Sequence, residues 1–152
     1  MISSDGEKYS PEAFEDSLPE VSRFVSQVVL HNNQDPYTMV LIVPEKEALK
    51  EYVQKAGLDP ESREGKIAML DKIQAEIDSY KTGGPHAALF PDRWLPAAVV
   101  ICDEPFTIAN QMMNSTMKIV RRKVEEHYAD RIAYSYTAEG KDLHNEKNIA
   151  SL

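Results

Sequence analysis

Four cations, Lys118, Arg121, Arg122 and Lys123, fall within the ten residues Asn114 to Lys123 of a chain that is otherwise acidic. From Pro105 through Val124 there is no Asp or Glu, although the 152 residues carry 25 acids against 17 Lys and Arg and a formal net charge of −8. One basic island in an acidic chain speaks against a general nucleic-acid binder, which spreads positive charge over a face. It suits a small phosphorylated ligand better. Lys118 lies between Met117 and Ile119, just after Asn110-Gln111-Met112-Met113-Asn114, and is expected to project near a loop tip. An ammonium there acts as a point charge on a phosphate, or on a carboxylate that loses its charge on forming an adenylate. Taken by itself, the island reads more simply as a solvated turn in which Glu125 and Glu126 balance Arg121 and Arg122 at four-residue spacing. The alternative function is a free-standing binding module that docks an acidic partner or RNA through the island.

The second candidate is Ser4-Asp5-Gly6-Glu7, where Asp5-Gly6 reads as a tight turn between two short strands. It is first a hairpin, and second a surface where a missing side chain admits a ligand. The histidines His31, His86, His127 and His144 show no metal-ligand spacing, so no metal is assigned. Cys102 sits in the apolar run Ala97 to Cys102 and is read as a buried, inert thiol. A single cysteine points to reducing, cytoplasmic surroundings. No phosphate loop of the Walker type, no Gly-x-Gly-x-x-Gly and no Gly-x-Ser-x-Gly is present, so the chain has no self-sufficient catalytic signature. No apolar run approaches the roughly 18 to 20 residues a membrane helix needs. A chain that opens inside a hairpin is expected to be a piece of a longer protein.

The elements that must position these residues follow from periodicity. With 42% apolar residues the chain suits one compact domain. Ser10-Pro11-Glu12 predicts a helix start, with Ser10 as N-cap and the helix running to about Leu18. Strands are predicted near 25–31 and over 38–43, joined by the turn 32–36. Helices follow over 45–56, ended by Gly57, and over 64–80, where Ile67, Leu70, Ile73, Ile77 and Tyr80 mark the buried stripe. An irregular connection around Trp94 leads to an interior strand over 97–102. A last helix is predicted to begin near the basic island, with Met117, Val120, Val124, Tyr128 and Ile132 inward. That sets Lys118 and Arg121 to Lys123 in its first turns, against the helix dipole, at a few tenths of a kcal/mol each. The fold class is α+β: a leading hairpin (1–10), then a domain (11–136) of a small three-stranded sheet with about four helices, then a polar tail (137–152) expected to be poorly ordered.

Taken together, the two candidate segments resemble the C-terminal domain of the AMP-forming acyl-CoA synthetases, within the adenylate-forming superfamily. Ser4 through Glu15 resembles the Gly-Glu-x-hydrophobic-x-Pro-x-x-hydrophobic-Glu motif just after the interdomain hinge. Glu104 to Thr107 with Asn114 through Arg122 resembles the lysine motif near the family's end, in the Thr-x-Lys form of the long-chain fatty-acid enzymes. The resemblance implies that Lys118 contacts the acyl carboxylate and the ATP α-phosphate during adenylation. It implies that Ser4, Asp5, Gly6 and Glu7 line the pantetheine tunnel after the domain rotates, with Arg121 and Arg122 as supporting basic residues. ATP, Mg2+ and CoA are then the parent's cofactors and substrates, the missing N-terminal adenylation domain is the partner, and peripheral contact of the parent with the inner face of the membrane is allowed. Many members carry Gly immediately before the lysine, where this chain has Met117. The hinge residue, the large domain, its phosphate loop and the fatty-acid tunnel are absent, so the fragment is not expected to make acyl-CoA alone.

Overall fold

The computed structural model describes all 152 residues. Its centre is a sheet of three strands, β1 (Val25–His31), β2 (Met39–Pro44) and β3 (Ala98–Ile101), in the order β1-β2-β3. β1 pairs with β2 antiparallel, and β2 pairs with β3 parallel, from Met39↔Ala98 to Ile42↔Ile101. The parallel step requires a crossover, and α2 (Lys46–Lys55) and α3 (Arg63–Asp78) lie within it. Every residue of β2 is buried because both faces of the sheet are covered.

The alternation of side chains divides the interior in two. Val40, Ile42, Val99 and Ile101 face Phe14 and Leu18 of α1 (Glu12–Val21), Leu49 and Val53 of α2, and Leu70, Ile73 and Ile77 of α3. Met39, Leu41, Val100 and Cys102 face Phe106 and Met112 together with Val124 of α4 (Arg121–His127), Tyr128 and Ile132 of α5 (Ala129–Ser135). A register shift between Val25 and Gln27 lets Val25 and Val28, three apart, share one face. An irregularity of one residue is what such a change of phase requires.

Local chemistry explains where the elements differ from expectation. Pro11, with φ of −81°, is the N-cap of α1, and Ser10 gives no cap: its hydroxyl turns to the Glu12 carboxylate. The helix expected near the island starts at Arg121, so Arg121, Arg122 and Lys123 do occupy its first turn, but Lys118 precedes it and the helix breaks at Tyr128. Val124, Tyr128 and Ile132 do point inward, but Met117 is 64% exposed and has φ of +65°. A left-handed residue cannot sit inside an α-helix.

Residues 137–152 are ordered, contrary to the expected loose tail. They form α6 (Ala138–Lys141), capped by Thr137, and α7 (Glu146–Ala150), capped by Asn145. The buried Asn148 completes the free edge of β3: its Oδ1 accepts from the Ile101 amide at 3.0 Å and its Nδ2 donates to the Val99 carbonyl at 2.9 Å. The leading hairpin is small, a single Ile2↔Lys8 bridge, and Ile2 also bridges Asn33 beyond the end of β1.

Candidate functional site

Lys118 lies on a looped arm between β3 and α4. Met113 and Ile119 pair antiparallel, and the Val120 amide donates to the Met112 carbonyl at 2.9 Å, so the two legs of the arm run together. Asn114 ties the tip. Its Oδ1 accepts from the amides of Thr116 and Lys118, both at 3.0 Å, and from the Thr116 hydroxyl at 2.7 Å. The Met117 amide closes the turn on the Asn114 carbonyl at 3.0 Å, with Met117 in the left-handed region. The tip is therefore a defined turn, and it carries an exposed ammonium.

The other cations of the island are engaged. Arg121 lies 2.7 Å from Glu15 and donates to the Leu30 carbonyl, also at 2.7 Å. Arg122 pairs with Glu126 at 3.0 Å, and Lys123 approaches the same carboxylate at 3.9 Å. Lys118 has no carboxylate within ion-pair distance. Arg122 balanced by Glu126 is the four-residue pair read from the sequence, whereas Arg121 turns away from Glu125 to Glu15, 106 positions earlier. Glu125 instead reaches His31. Within the basic island Lys118 is unpaired, Arg121 pairs with Glu15, and Arg122 and Lys123 share one carboxylate, Glu126. Exposed pairs such as Arg122–Glu126 contribute little to stability, about 0.3–0.5 kcal/mol.

The Ser3 to Glu7 turn is organised by the same kind of local bonding. The Gly6 amide donates to the Ser3 carbonyl at 3.0 Å, and Gly6 has φ of +87°. A Cβ added at Gly6 would meet no atom within 4 Å, so the turn offers open space on its outer side. Asp5 accepts from the Ser3 hydroxyl and from the Glu7 amide, and these bonds hold its carboxyl below the usual range. Glu7 is partly exposed but held by two neighbours. Arg93 grips it through Nη2 at 3.1 Å and Trp94 donates Nε1 at 3.0 Å, and Arg93 first, then Trp94, hold its carboxyl low. Trp94 in turn stacks on Tyr9, with ring centroids 4.3 Å apart. The turn's backbone face, with Ser4 and Gly6 exposed, is left as its accessible part.

A groove of about 700 Å3 runs beside Lys118, between α1 and β1, with Val28, Val29, Met113, Met117 and Ile119 on its apolar side and Glu12 and Asp16 on its acidic side. None of the residues from 1 to 10 lines it, so the structure does not bring Lys118 and the Gly6 turn into one pocket. No three His, Cys, Asp or Glu side chains come together as a metal-holding group. No helix is long and apolar enough to cross a membrane. Periodicity gave no sign of the residues that fix the arm, Gln27, Asn114 and the Glu15–Arg121 pair. Glu15 and Arg121 each stand in one of the two motifs, but nothing in the sequence signalled that they pair.

An α+β domain with an unpaired lysine on a hydrogen-bonded arm and an open glycine turn at its start agrees with what similarity reveals. Over residues 1–140 the chain matches the family described as AMP-binding enzyme C-terminal domain, and it belongs to that family. It is similar to long chain acyl-CoA synthetase 8 of Arabidopsis thaliana, at 23% identity over 116 residues, covering 76% of this chain and 16% of that protein. It is similar also to peroxisomal long chain acyl-CoA synthetase 7 of the same plant, at 25% identity over 146 residues, covering 88% and 19%. Among solved structures, the A domain of carboxylic acid reductase from Segniliparus rugosus, in complex with AMP and a co-purified carboxylic acid, shares the fold with a TM-score of 0.64 and 24% identity, over 90% of this chain and 19% of that one. The chain thus spans less than a fifth of the length of the relatives it matches.

Proposed function

We propose that the chain is the C-terminal domain of a long-chain fatty-acid–CoA ligase, which converts a fatty acid, ATP and CoA to acyl-CoA, AMP and diphosphate. The observation that carries this reading is the unpaired Lys118 ammonium on an arm whose neighbouring cations are engaged by Glu15 and Glu126. During adenylation the ammonium sits between the acyl carboxylate and the α-phosphate, where two anionic groups must meet. A fixed positive charge there lowers the barrier without reorganising water, and removing one such group typically costs about 100- to 1,000-fold in rate. The large N-terminal adenylation domain holds the ATP, its Mg2+ and the acyl chain.

In thioester formation the domain turns, and the open backbone of Ser4 to Gly6 lines the pantetheine path, with Glu7 held aside by Arg93 and Trp94. A lysine and a turn in separate places serve two half-reactions only if the domain moves between them. The same pairing counts against docking of RNA or an acidic partner, because Glu15 and Glu126, set among the four cations, reduce the charge available for counterion release. The parent is proposed to be cytoplasmic, with peripheral membrane contact as part of the same reading.

The carboxylic acid reductase likeness favours one second reading, in which the parent activates a carboxylic acid but passes it to an acceptor other than CoA. The full-length enzyme, incubated with long-chain fatty acid, ATP, Mg2+ and CoA, is expected to release AMP and acyl-CoA in equal amounts, and the isolated domain neither. Acyl-adenylate without acyl-CoA would support the second reading. No adenylate from any carboxylic acid would overturn both.

A further inference from the structure

β1 is an edge strand: one side-chain device occupies its free edge at Leu30, and a second reaches out from the side chain of Gln27. At Leu30 the amide donates to Glu15 Oε2 and the carbonyl accepts from Arg121 Nη1, both at 2.7 Å, while Arg121 Nη2 closes the ring on Glu15 Oε1 at 2.7 Å. Three residues upstream, Gln27 treats Phe106 as a neighbouring strand would: Nε2 donates to the Phe106 carbonyl at 3.0 Å and Oε1 accepts from its amide at 2.8 Å. Gln27 Nε2 also lies 3.5 Å from Met113 Sδ. Phe106 is the incoming root of the Lys118 arm and Arg121 its outgoing root. Both roots are thereby fastened to one strand, and Asn114 sets the tip between them.

We propose that Gln27 and the Glu15–Arg121 pair are positioning residues that hold the Lys118 arm at its two roots against the edge of β1. The proposal rests on the reading of Lys118 as the adenylation lysine. α1 is held independently by Phe14 and Leu18, and α4 by Val124, all fully buried. The fold therefore has anchors that do not pass through the polar devices, which act on the arm. Arg121 suits this because its planar fork serves a carboxylate and a carbonyl together in a fixed geometry, which the rotating ammonium of a lysine does not impose. A displacement of about 1 Å at a reacting centre can cost on the order of 100-fold, so a fastening far from the chemistry acts on rate. Arg121 is thus a positioning residue, and the carboxylate it meets is Glu15, not substrate.

The test uses Arg121→Met and Gln27→Leu in the full-length enzyme, with two readouts. Amide hydrogen exchange at Asn114 to Lys118 is expected to speed up by about tenfold or more in each variant, with β2 unchanged. Adenylation is expected to fall roughly 10- to 100-fold in kcat, while transfer from preformed acyl-adenylate to CoA stays within about threefold. Arg121→Lys, which keeps the charge beside Glu15 but not the fork, is expected to fall between wild type and Arg121→Met in both readouts. Unchanged exchange at the tip, or equal loss in both half-reactions, would overturn the proposal. Gln27→Leu carries the same test if Arg121→Met does not fold. If Lys118→Ala leaves adenylation intact, the reading of Lys118 fails, and the exchange data still decide whether the arm is fastened here.

Discussion

Met117 bears its side chain at φ of +65°, in the region that L residues enter at a cost of about 1–2 kcal/mol. The conformation is imposed by its surroundings, since Asn114 accepts from the amides on both sides of it, those of Thr116 and Lys118. A glycine, the residue many members carry at this place, meets the same turn without strain, although it loses about 0.5–1 kcal/mol to chain entropy. Met117→Gly is therefore expected to leave stability unchanged or raise it by up to about 1 kcal/mol. Met117→Val, β-branched and poorly suited to positive φ, should lower it by about 1 kcal/mol or more. Urea unfolding of the two variants checks this, and a Gly variant less stable than the Val variant would contradict the strained turn. The lysine and the glycine turn were legible as residue types at motif spacing. The strain at Met117 was not, because Met117, Val120 and Val124 keep helical spacing and extend a helical pattern one turn past the true helix start.

At the scale of elements, apolar periodicity recovered β1, β2, β3, α2 and α3 to within about two residues, because each buries a face against a neighbour. It failed for α6 and α7, whose contribution to the core is small and whose main attachment is polar. Asn148 makes four hydrogen bonds, to Ile101, Val99, Leu143 and Arg131, and is wholly buried. Its partners on β3 lie 47 and 49 positions away, a distance no local pattern reports. The legible traces were the caps Thr137 and Asn145, each three residues ahead of the amide it accepts. Asn148→Ala leaves a β3 amide and carbonyl unpaired inside the protein, at about 1–3 kcal/mol for each group. A loss of about 3 kcal/mol is expected in thermal or urea unfolding. A loss below about 0.5 kcal/mol would mean that α7 does not close the edge of β3. Gln27 and the Glu15–Arg121 pair escaped the sequence for the same reason, since they join the chain across 79 and 106 positions.

The whole molecule reads as a sheet with two covered faces and two polar-sealed edges, which leaves Lys118 on its arm and the Gly6 turn as separate outward features. The central layer should behave as a closed core. Burial pushes the Cys102 thiol up to about 12, with the Tyr128 hydroxyl working weakly in the other direction. A maleimide or disulfide reagent at pH 8 is accordingly expected to leave the native protein unlabelled and to modify one thiol after denaturation. Rapid native labelling would mean that the β3 face opens. Fold class and the order of the main elements were readable because they depend on burial, which recurs along the chain. The proposed service of one domain in two half-reactions depends on a large partner domain, and its most direct test is single-turnover kinetics of Lys118→Ala in the full-length enzyme. Adenylation of a long-chain fatty acid is expected to fall by about 100-fold or more, while transfer from preformed acyl-adenylate to CoA remains within about threefold of wild type. Equal slowing of the two half-reactions, or adenylation at the wild-type rate, would contradict the assignment of Lys118.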